Sequence, residues 1–575
     1  MSTALSLAGD FPATTDAEWR AAVRGVVLKG RPDADDREFA AAFARQLVTT
    51  TADRLEIQPL YTEGPTPDAA TRGARTGPWE IRQRVADDGA LSELENGATG
   101  LLVDVDTPAR LAAALAGVHL EMVPVTLADG ALAGALIDLW DAAQTPLRER
   151  AGTLGVDPIG AWARAGGTAD LAAARAAAGE LLERVAGHPD AVRALVADGT
   201  LWHGAGATPA QELAWTIAAG ADYVRTFGDA AAERIELRWA ADADQFMTIA
   251  KLRAARQLWA RAAGSGPGFH HAETSRAMLT RYDTWTNALR STIACFAAGV
   301  GGADAVTVWP HDALVVAGGS PLGRRIARNT QTILQSEAHL WRVADMAGGA
   351  WFVETLTDQL AAAAWAELTR IEELGGLVAA IEQGAVHAAL DDVLRARATR
   401  VATRRQPLTG LSEFPDIAEQ PPPAVTDAAS TDTPTPFRPF ALVRLAQEFE
   451  DQRSRADQHW RRTGARPTVY LATLGTAAQF TARATFAKNL FEAGGIATVS
   501  GPVAAFTGGV ACLCASDPVY AELGAAAAAK LRAAGARRIY VAGRKLDLPG
   551  VDEGVGVGSD VLDVLSRALD SLGVN

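Results

Sequence analysis

The sequence predicts an α/β protein in which a (β/α)8 TIM-type barrel is followed by a doubly wound domain. Between residues 46 and 410, short apolar or β-branched runs alternate with Ala-rich helical segments. A stretch rich in Pro, Thr and Ser follows, and a second set of strand and helix patterns begins at Arg466. The 575 residues, 48% of them apolar, are enough for about two to four domains.

Composition excludes several classes of partner. The net charge of -14 argues against nucleic acid or an anionic membrane, since both are bound through an excess of Lys and Arg. Three cysteines are too few for a disulfide framework, and Cys512 and Cys514 alternate with Leu513 as in a buried strand. The N-terminus has no basic segment and no run of eighteen apolar residues occurs, so we expect a reducing, cytoplasmic location.

Residues 1–45 are predicted to form an N-terminal arm. Thr15 and Glu18 have the spacing of a capping box, and Trp19, Val23 and Val26 continue a helix from there. The segment has few apolar residues for a core of its own. We therefore expect it to lie on another domain or on another chain.

Residues 46–410 are predicted to form the barrel, because they hold eight strand candidates, most of them followed by a helix. The clearest helix start is Thr208 to Gln211, with Thr as N-cap, Pro at the first helical position and Gln three residues after the cap. This helix is expected to end at Gly220. The strand candidates are Leu55–Gln58, Gly100–Val103, Glu121–Val125, Gly199–His203, Ile235–Trp239, His270–Thr274, Ala305–Trp309 and Leu340–Val343.

Residues 411–465 are predicted to form a linker and a helix. The linker, Ser412–Phe440, is rich in Pro, Thr, Ser and Asp, and the helix is expected over Leu442–Arg462. Residues 466–575 then form the doubly wound domain. Its strands are expected at Val469–Thr473, Ile496–Ser500, Val510–Ala515, Ile539–Gly543 and near Val555.

The first strand-to-helix loop of this domain, Thr473–Ala482, occupies the place where doubly wound sheets bind ligands, outside the carboxyl ends of the strands. Gly475 turns the chain, and Phe486 and Leu490 recur at helical spacing after it. The loop itself contains no Asp, Glu, His, Lys or Cys. It has the form of a ligand site without the side chains that a ligand needs.

Three barrel residues are candidates for chemistry. His203, His271 and Glu273 fall at or near the ends of predicted strands, where barrels of this class place catalytic residues. For each of them, a single sequence favours a neutral or hydrogen-bonded structural role. No metal site is predicted, because His270 and His271 have no third ligand at metal spacing and the strand that holds Cys512 and Cys514 is predicted to be buried.

Several segments resemble the adenosylcobalamin-dependent methylmalonyl-CoA mutases, and they occur in that family's order. The resemblance covers nearly the whole chain and implies a barrel, a linker and a flavodoxin-like, cobalamin-binding-type domain. The matching segments are Pro78–Gln83, Ala205–Thr208, Ala250–Trp259, Arg325–Gln331 and Ser412–Pro415.

The resemblance also identifies what the loop lacks. In catalytic mutases this loop carries DxHxxG, in which the His replaces the lower ligand of cobalt, the Asp orients it and the Gly admits the nucleotide tail; a preceding Lys joins the network. Here Ala477 stands at the Asp position, Gln479 at the His position, Ala482 at the Gly position and Thr473 at the Lys position. A glutamine amide is a poor cobalt ligand and an alanine offers no supporting acceptor. A later serine-rich contact is replaced by Ser516–Val519.

The barrel departs from the same family at three places. A Tyr-His pair expected before the helix-capping Thr corresponds to Thr200 and Leu201, with His203 two residues later on the same side of the predicted strand. A radical-shielding tyrosine has no counterpart within residues 73–77. The substrate-binding Thr-His-x-Gln becomes His270–Glu273, which puts a carboxylate where an anionic substrate would bind and would repel it.

Together these losses resemble the small, or β, subunits of two-chain mutases. The resemblance implies a noncatalytic chain that binds no cofactor, paired as a heterodimer with a large (α) subunit that holds adenosylcobalamin and interconverts (R)-methylmalonyl-CoA and succinyl-CoA. The contact would be pseudo-twofold, with the N-terminal arm wrapping the partner. Two alternatives remain open: an active acyl-CoA mutase or CoA-binding protein that uses His203, His271 and Glu273, and a chaperone-like module for the large subunit.

Overall fold

The computed structural model describes residues 14–31, 33–65, 75, 77–264, 266–423, 435–543 and 548–574. Its strands form a two-stranded antiparallel hairpin, an eight-stranded parallel sheet and a five-stranded parallel sheet. In chain order the strands are β1 Thr49–Thr50, β2 Glu56–Ile57, β3 Glu80–Val85, β4 Gly100–Val103, β5 Val125–Leu127, β6 Gly152–Val156, β7 Val192–Asp198, β8 Ile235–Ala241, β9 Phe269–Thr274, β10 Ala305–Thr307, β11 Thr468–Thr473, β12 Ala497–Pro502, β13 Gly509–Cys514, β14 Ala536–Ala542 and β15 Glu553–Val555.

The main α-helices lie between these strands and at the two ends of the chain. They are Asp16–Val27, Asp36–Leu47, Ala90–Glu95, Pro108–Ala114, Ala133–Ala142, Pro158–Arg164, Leu171–Val185, Gly199–Gly204, Pro209–Phe227, Gln245–Ala263, Thr284–Val300, Pro321–Ser336, Trp351–Glu373, Leu377–Glu382, Ala385–Ala402, Gln447–Thr463, Ala477–Glu492, Ala525–Ala533 and Val561–Ser571. None of the helices in the described ranges combines the length and apolar composition needed to cross a bilayer.

The N-terminal capping box is confirmed. The Thr15 hydroxyl accepts from the Glu18 N–H at 3.3 Å, and the Glu18 carboxylate accepts from the Thr15 N–H at 2.8 Å. The helix that starts here packs against the next one, and Val27 and Ala42 belong to a small apolar cluster separate from the barrel core. The first two helices thus bury a small apolar cluster between them.

The eight-stranded sheet is a nearly closed parallel barrel, as the sequence predicts. Its strands follow the order β5-β4-β3-β10-β9-β8-β7-β6. The two end strands approach each other, and the Val125 N–H donates to the Ala151 carbonyl at 3.0 Å. Gly152, with φ of 126°, permits this approach, because a Cβ there would lie 1.9 Å from the Val125 carbonyl oxygen.

Three predicted barrel strands are wrong, although the total of eight is right. Leu55–Gln58 belongs to the outer hairpin, Gly199–His203 is a short helix, and Leu340–Val343 is a turn. Glu121–Val125 meets β5 only at its last residue. The strands that replace the wrong three are β3, β6 and β7, and each of them contains charged or glycine residues that interrupt its apolar pattern.

The helix predicted to end at Gly220 continues to Phe227. Its start is as predicted, with reciprocal hydrogen bonds between Thr208 and Gln211 of 3.0 and 3.3 Å. Gly220 does not end the helix. It allows the Trp259 indole to pack closely against the helix, because a Cβ at this position would lie 2.6 Å from that ring. Gly228, with φ of 89°, ends the helix.

The helix predicted over Leu442–Arg462 begins five residues later, at Gln447. The preceding segment is extended along the barrel rim, where the Val443 N–H donates to the Gly204 carbonyl at 2.8 Å and the Leu445 N–H donates to the Ala277 carbonyl at 3.1 Å. These tertiary hydrogen bonds replace those that a helix would have made.

The five-stranded sheet has the order β12-β11-β13-β14-β15, with every pair parallel. Alternate residues of β13 enter two different cores: Cys512 and Cys514 on one face, Ala511 and Leu513 on the other. Both faces are therefore covered, as expected of a doubly wound sheet. The two cysteines are buried and free, so the prediction that they are core residues is confirmed.

Candidate functional site

His203 lies on the short helix after β7 and not on a strand. β7 ends at Asp198, whose carboxylate accepts from the Thr200 N–H at 3.0 Å and so starts the helix Gly199–Gly204. The helix carries His203 to the carboxyl end of the barrel. There its Nε2 lies 2.7 Å from the Ser275 hydroxyl and its Nδ1 lies 3.5 Å from a carboxylate oxygen of Glu212.

Glu212 is held in place from several sides. Its carboxylate accepts from the Ala240 N–H at 2.9 Å and lies 2.5 Å from the Lys251 ammonium. Burial alone would raise the pKa of Glu212, but the charge of Lys251 and the hydrogen bonds of His203 and Lys251 lower it below the ordinary range. Glu212 is therefore a carboxylate that orients His203.

His271 lies deeper in the barrel than His203 and is fully buried. Its Nδ1 is 3.0 Å from Glu236 and its Nε2 is 2.8 Å from the Thr307 hydroxyl. Because a carboxylate can only accept, Nδ1 carries the proton and Nε2 accepts. Burial and the nearby charge of Arg82 lower the pKa of His271, so the ring is neutral.

Glu236 is the centre of a polar network that fills the barrel interior. It accepts from Arg82 at 2.8 Å, from the Thr153 hydroxyl at 2.7 Å and from Arg238 at 3.0 Å, in addition to His271. Arg82, Glu236 and His271 are all fully buried. Burial would raise the pKa of Glu236, but Arg82, His271 and Arg238 lower it far below the ordinary range. The barrel axis is thus occupied by paired side chains.

A cavity of about 990 Å³ lies above this network, at the carboxyl ends of the strands. His203 and Glu273 both line it, whereas His271 does not. Of the three barrel residues singled out from the sequence, two therefore line one cavity and the third, His271, belongs to the interior network. Arg84, Arg276 and Trp309 also line the cavity but were not identified from the sequence. The one available signal for Arg84 was the alternation of charged and uncharged residues in β3.

The loop after β11 has the geometry expected of a ligand-binding corner. Gly475 has φ of 82° and is followed by the helix Ala477–Glu492. The Gln479 amide oxygen turns back and accepts from both the N–H and the hydroxyl of Thr476, at 2.8 and 3.1 Å. Thr473 donates to the Gly501 carbonyl at 3.2 Å. Both polar side chains are therefore engaged by neighbouring parts of the same chain.

The carboxyl edge of the same sheet is bridged by side chains. Arg483 contacts the Ala542 carbonyl and forms an ion pair with Asp517 at 2.9 Å. The Tyr520 hydroxyl accepts from the Ala515 N–H at 2.8 Å and lies 2.9 Å from the Leu513 carbonyl and 3.2 Å from the Ala542 carbonyl. These contacts tie the ends of β13 and β14 together.

Replacing Gln479 by alanine is expected to weaken the start of its helix by about 1 kcal/mol, because the Thr476 N–H loses its acceptor. The measurement is amide hydrogen exchange of residues 474–482 by mass spectrometry, which should become several-fold faster.

The matched control is Gln458→Ala, on the exposed face of the helix Gln447–Thr463. This substitution should leave exchange in residues 474–482 unchanged. Equal exchange in the wild type and Gln479→Ala would show that the glutamine does not cap the helix.

Within the described ranges, no three His, Cys, Asp or Glu side chains converge as a metal site. His270, one of the histidines considered from the sequence, accepts from the Trp239 indole N–H at 2.8 Å and lies 2.7 Å from the Pro267 carbonyl. Burial lowers its pKa far below the ordinary range. It is a neutral residue of the barrel wall.

Comparison with known proteins connects this geometry to one family. The family model described as Methylmalonyl-CoA mutase matches residues 82–442 of the chain. A methylmalonyl-CoA mutase small subunit from Streptomyces virginiae is 42% identical, over 99% of this chain and 98% of the relative.

Relatives from a single organism include both kinds of subunit. The small subunit of Propionibacterium freudenreichii subsp. shermanii is 36% identical, over 100% of this chain and 97% of its own length. The large subunit from the same organism is 34% identical over 44% of this chain and 36% of its own length. The full-length similarity is therefore to proteins named as small subunits.

Proposed function

Because the chain belongs to the methylmalonyl-CoA mutase family, we propose that it acts as the small subunit of a two-chain mutase. Its partner would be a large subunit that holds adenosylcobalamin and interconverts (R)-methylmalonyl-CoA and succinyl-CoA. The occurrence of small- and large-subunit relatives in one organism supports this pairing. A reducing, cytoplasmic setting is compatible with the buried free cysteines.

The proposed division of the chain has four parts. Residues 1–45 form the arm, 46–410 the barrel, 411–465 the linker and helix, and 466–575 a degenerate cobalamin-binding-like domain. The strand order of the last part, with the second strand at one edge and the first beside it, is that of flavodoxin-like domains. Ligands of such domains lie outside the carboxyl ends of the strands, which is where Thr473, Ala477, Gln479 and Ala482 are found.

The state of Gln479 is the observation that carries a noncatalytic role. Where the family's catalytic members place a histidine for cobalt, this amide caps its own helix through Thr476. No residue from Thr473 to Ala482, the turn and the first helical residues after it, carries an imidazole, a carboxylate or an amine. The residues present therefore do not fit cobalamin, and we assign the cofactor to the partner subunit.

The barrel supports the same conclusion. Arg82 and His271 each donate to the buried carboxylate of Glu236, so side chains occupy the barrel interior. An active site that used His203, His271 and Glu273 together would need these groups at one cavity. Both ring nitrogens of His271 instead form hydrogen bonds within the network, to Glu236 and to Thr307. This argues against an active site that uses all three residues.

The test is co-expression of this chain with a large-subunit relative. We expect a complex of one small and one large subunit that persists in gel filtration, with cobalamin absorbance and mutase activity in the complex. The isolated small chain is expected to take up no cobalamin and to show no mutase activity.

Stoichiometric cobalamin uptake by the isolated small chain would contradict the proposal. A complex that separates after the large subunit has received its cofactor would favour a chaperone-like module instead. The isolated large subunit provides the positive control for cofactor uptake in the same absorbance measurement.

A further inference from the structure

The helix Thr284–Val300, which follows β9 on the outside of the barrel, has an exposed face without charge. Trp285, Leu289 and Ile293 recur four residues apart on this face, and Trp285 and Leu289 are 59% and 66% exposed. The helix has a single charged residue, Arg290, whose guanidinium donates to two acceptors of its own chain, each at 2.7 Å. A helix at a solvated surface ordinarily carries charged residues on its outer face.

The neighbouring helix, Pro321–Ser336, extends this surface. It packs beside the first helix and exposes Leu322 and Ile333, with the half-buried Ile326 between them. Spacings of four and seven residues place these three side chains on one side of the helix, and the exposed Arg325 borders their row. The two rows together are called the apolar face, and its members are Trp285, Leu289, Ile293, Leu322, Ile326 and Ile333.

Trp285 is held in position by its own chain. Its indole stacks on the imidazole of the buried His311, with ring centroids 4.6 Å apart and an angle of 21° between the planes. Because this contact fixes the indole before binding, a partner that covers Trp285 loses little side-chain entropy in doing so. Aromatic residues are enriched among the few side chains that provide most of the binding free energy of protein interfaces.

The apolar face has the size of an interface. A helix of 17 residues is about 25 Å long and two packed helices lie about 10 Å apart, so their outer sides together cover about 500 Å². The largest apolar patches of monomeric proteins reach about 300–600 Å² and often serve binding. A standard interface buries about 800 Å² on each partner, so these two helices would provide more than half of it.

The composition of the apolar face fits a protein partner better than a membrane. Interface cores are depleted in charged residues and enriched in aromatic ones, as this face is. Helices that lie on membranes carry many Lys and Arg residues beside their apolar row, whereas this chain has a net charge of -14. Small- and large-subunit relatives occur in one organism, which favours a large subunit over a second copy of this chain.

We propose that the apolar face is the surface on which the large subunit docks, with Leu289 and Ile293 at its centre and Trp285 as an aromatic anchor. This inference rests on the proposed function, because that function gives the chain one permanent partner. Contacts between permanent partners are the more apolar class of protein interface.

The experiment is titration of an immobilised large-subunit relative with the purified full-length chain. The Kd of Leu289→Asp should be at least about tenfold higher than that of the wild type, because the complex would bury a new charge at the centre of the interface. Trp285→Ala should raise the Kd by a similar factor through loss of the anchor. Circular dichroism establishes that both variants are folded.

The matched control is Leu147→Asp. Leu147 is also exposed, at 51%, and it precedes β6, on the side of the barrel opposite to β9 and β10. Its substitution should leave the Kd unchanged.

The possible failures are distinguishable. If the wild type binds and Leu289→Asp and Trp285→Ala bind equally well, the docking surface is wrong and the proposed function stands. If the wild-type chain forms no complex with the large subunit, both are wrong. If the isolated chain elutes as a dimer in gel filtration, and Leu289→Asp elutes as a monomer, a second copy covers the apolar face and the large subunit is the wrong occupant.

Discussion

Replacing Glu236 by alanine is expected to destabilise the barrel by about 3–5 kcal/mol, the range for removing one partner of a buried ion pair. The substitution leaves Arg82 and Arg238 buried without their shared carboxylate, and it removes the acceptor of Thr153 and His271. The measurement is urea unfolding of the purified chain, followed by circular dichroism. A change below about 1 kcal/mol would mean that the network relaxes around the gap.

The control for the charge itself is Glu236→Gln, which keeps the shape and two hydrogen-bonding groups. It also tests the pH dependence. The folded-state pKa of Glu236 is far below the ordinary range, so its contribution is complete above the unfolded-state pKa and is lost as the pH falls through the folded-state pKa. The wild type should therefore lose stability on acidification more steeply than Glu236→Gln.

Replacing Asp457 by alanine should loosen the attachment of the C-terminal sheet, at a cost of about 2–4 kcal/mol. Asp457 is buried on the helix Gln447–Thr463 and accepts from the Tyr282 hydroxyl and from Arg466, each at 2.7 Å. Tyr282 follows β9 of the barrel, whereas Arg466 precedes β11. One carboxylate thus joins the barrel side to the C-terminal sheet.

Limited proteolysis measures this effect, with faster cleavage expected between residues 463 and 468 of Asp457→Ala. Asp457→Asn is the matched variant, because its amide oxygen still accepts one of the two hydrogen bonds, and it should lie between the wild type and Asp457→Ala. Identical cleavage of all three proteins would show that the attachment depends on apolar contacts around Tyr282 instead.

The sequence predicts the barrel because the strand residues that pack against the surrounding helices are mostly apolar. β4 and β8 fall where β-branched and apolar residues alternate with helical segments. β3 was missed because its inward residues include Arg82, whose charge resembles that of a surface position. Its partner Glu236 lies 154 residues away, so local pattern gives no sign that the charge is buried and paired.

The candidate cavity was predictable only in part. His203 and Glu273 were found because catalytic groups in barrels follow strands, a rule of position along the chain. Arg276 and Trp309 meet through tertiary structure alone, and neither stands in a motif. The order of strand, turn and helix in the C-terminal domain was predictable, because all three are encoded within the continuous segment Val469–Leu490. The loop predicted over Thr473–Ala482 is nevertheless too long, since the helix already begins at Ala477.

The contact of Gln479 with Thr476 also bears on whether the folding of this domain depends on a ligand. A helix start completed by its own side chain requires no ligand to satisfy the Thr476 N–H. Ligands stabilise a fold by mass action only when they bind the native state, so a chain that takes up no cobalamin, as we propose for this one, would gain no stability from it. Under this proposal, we expect the amount of folded chain to be the same whether cobalamin is scarce or abundant.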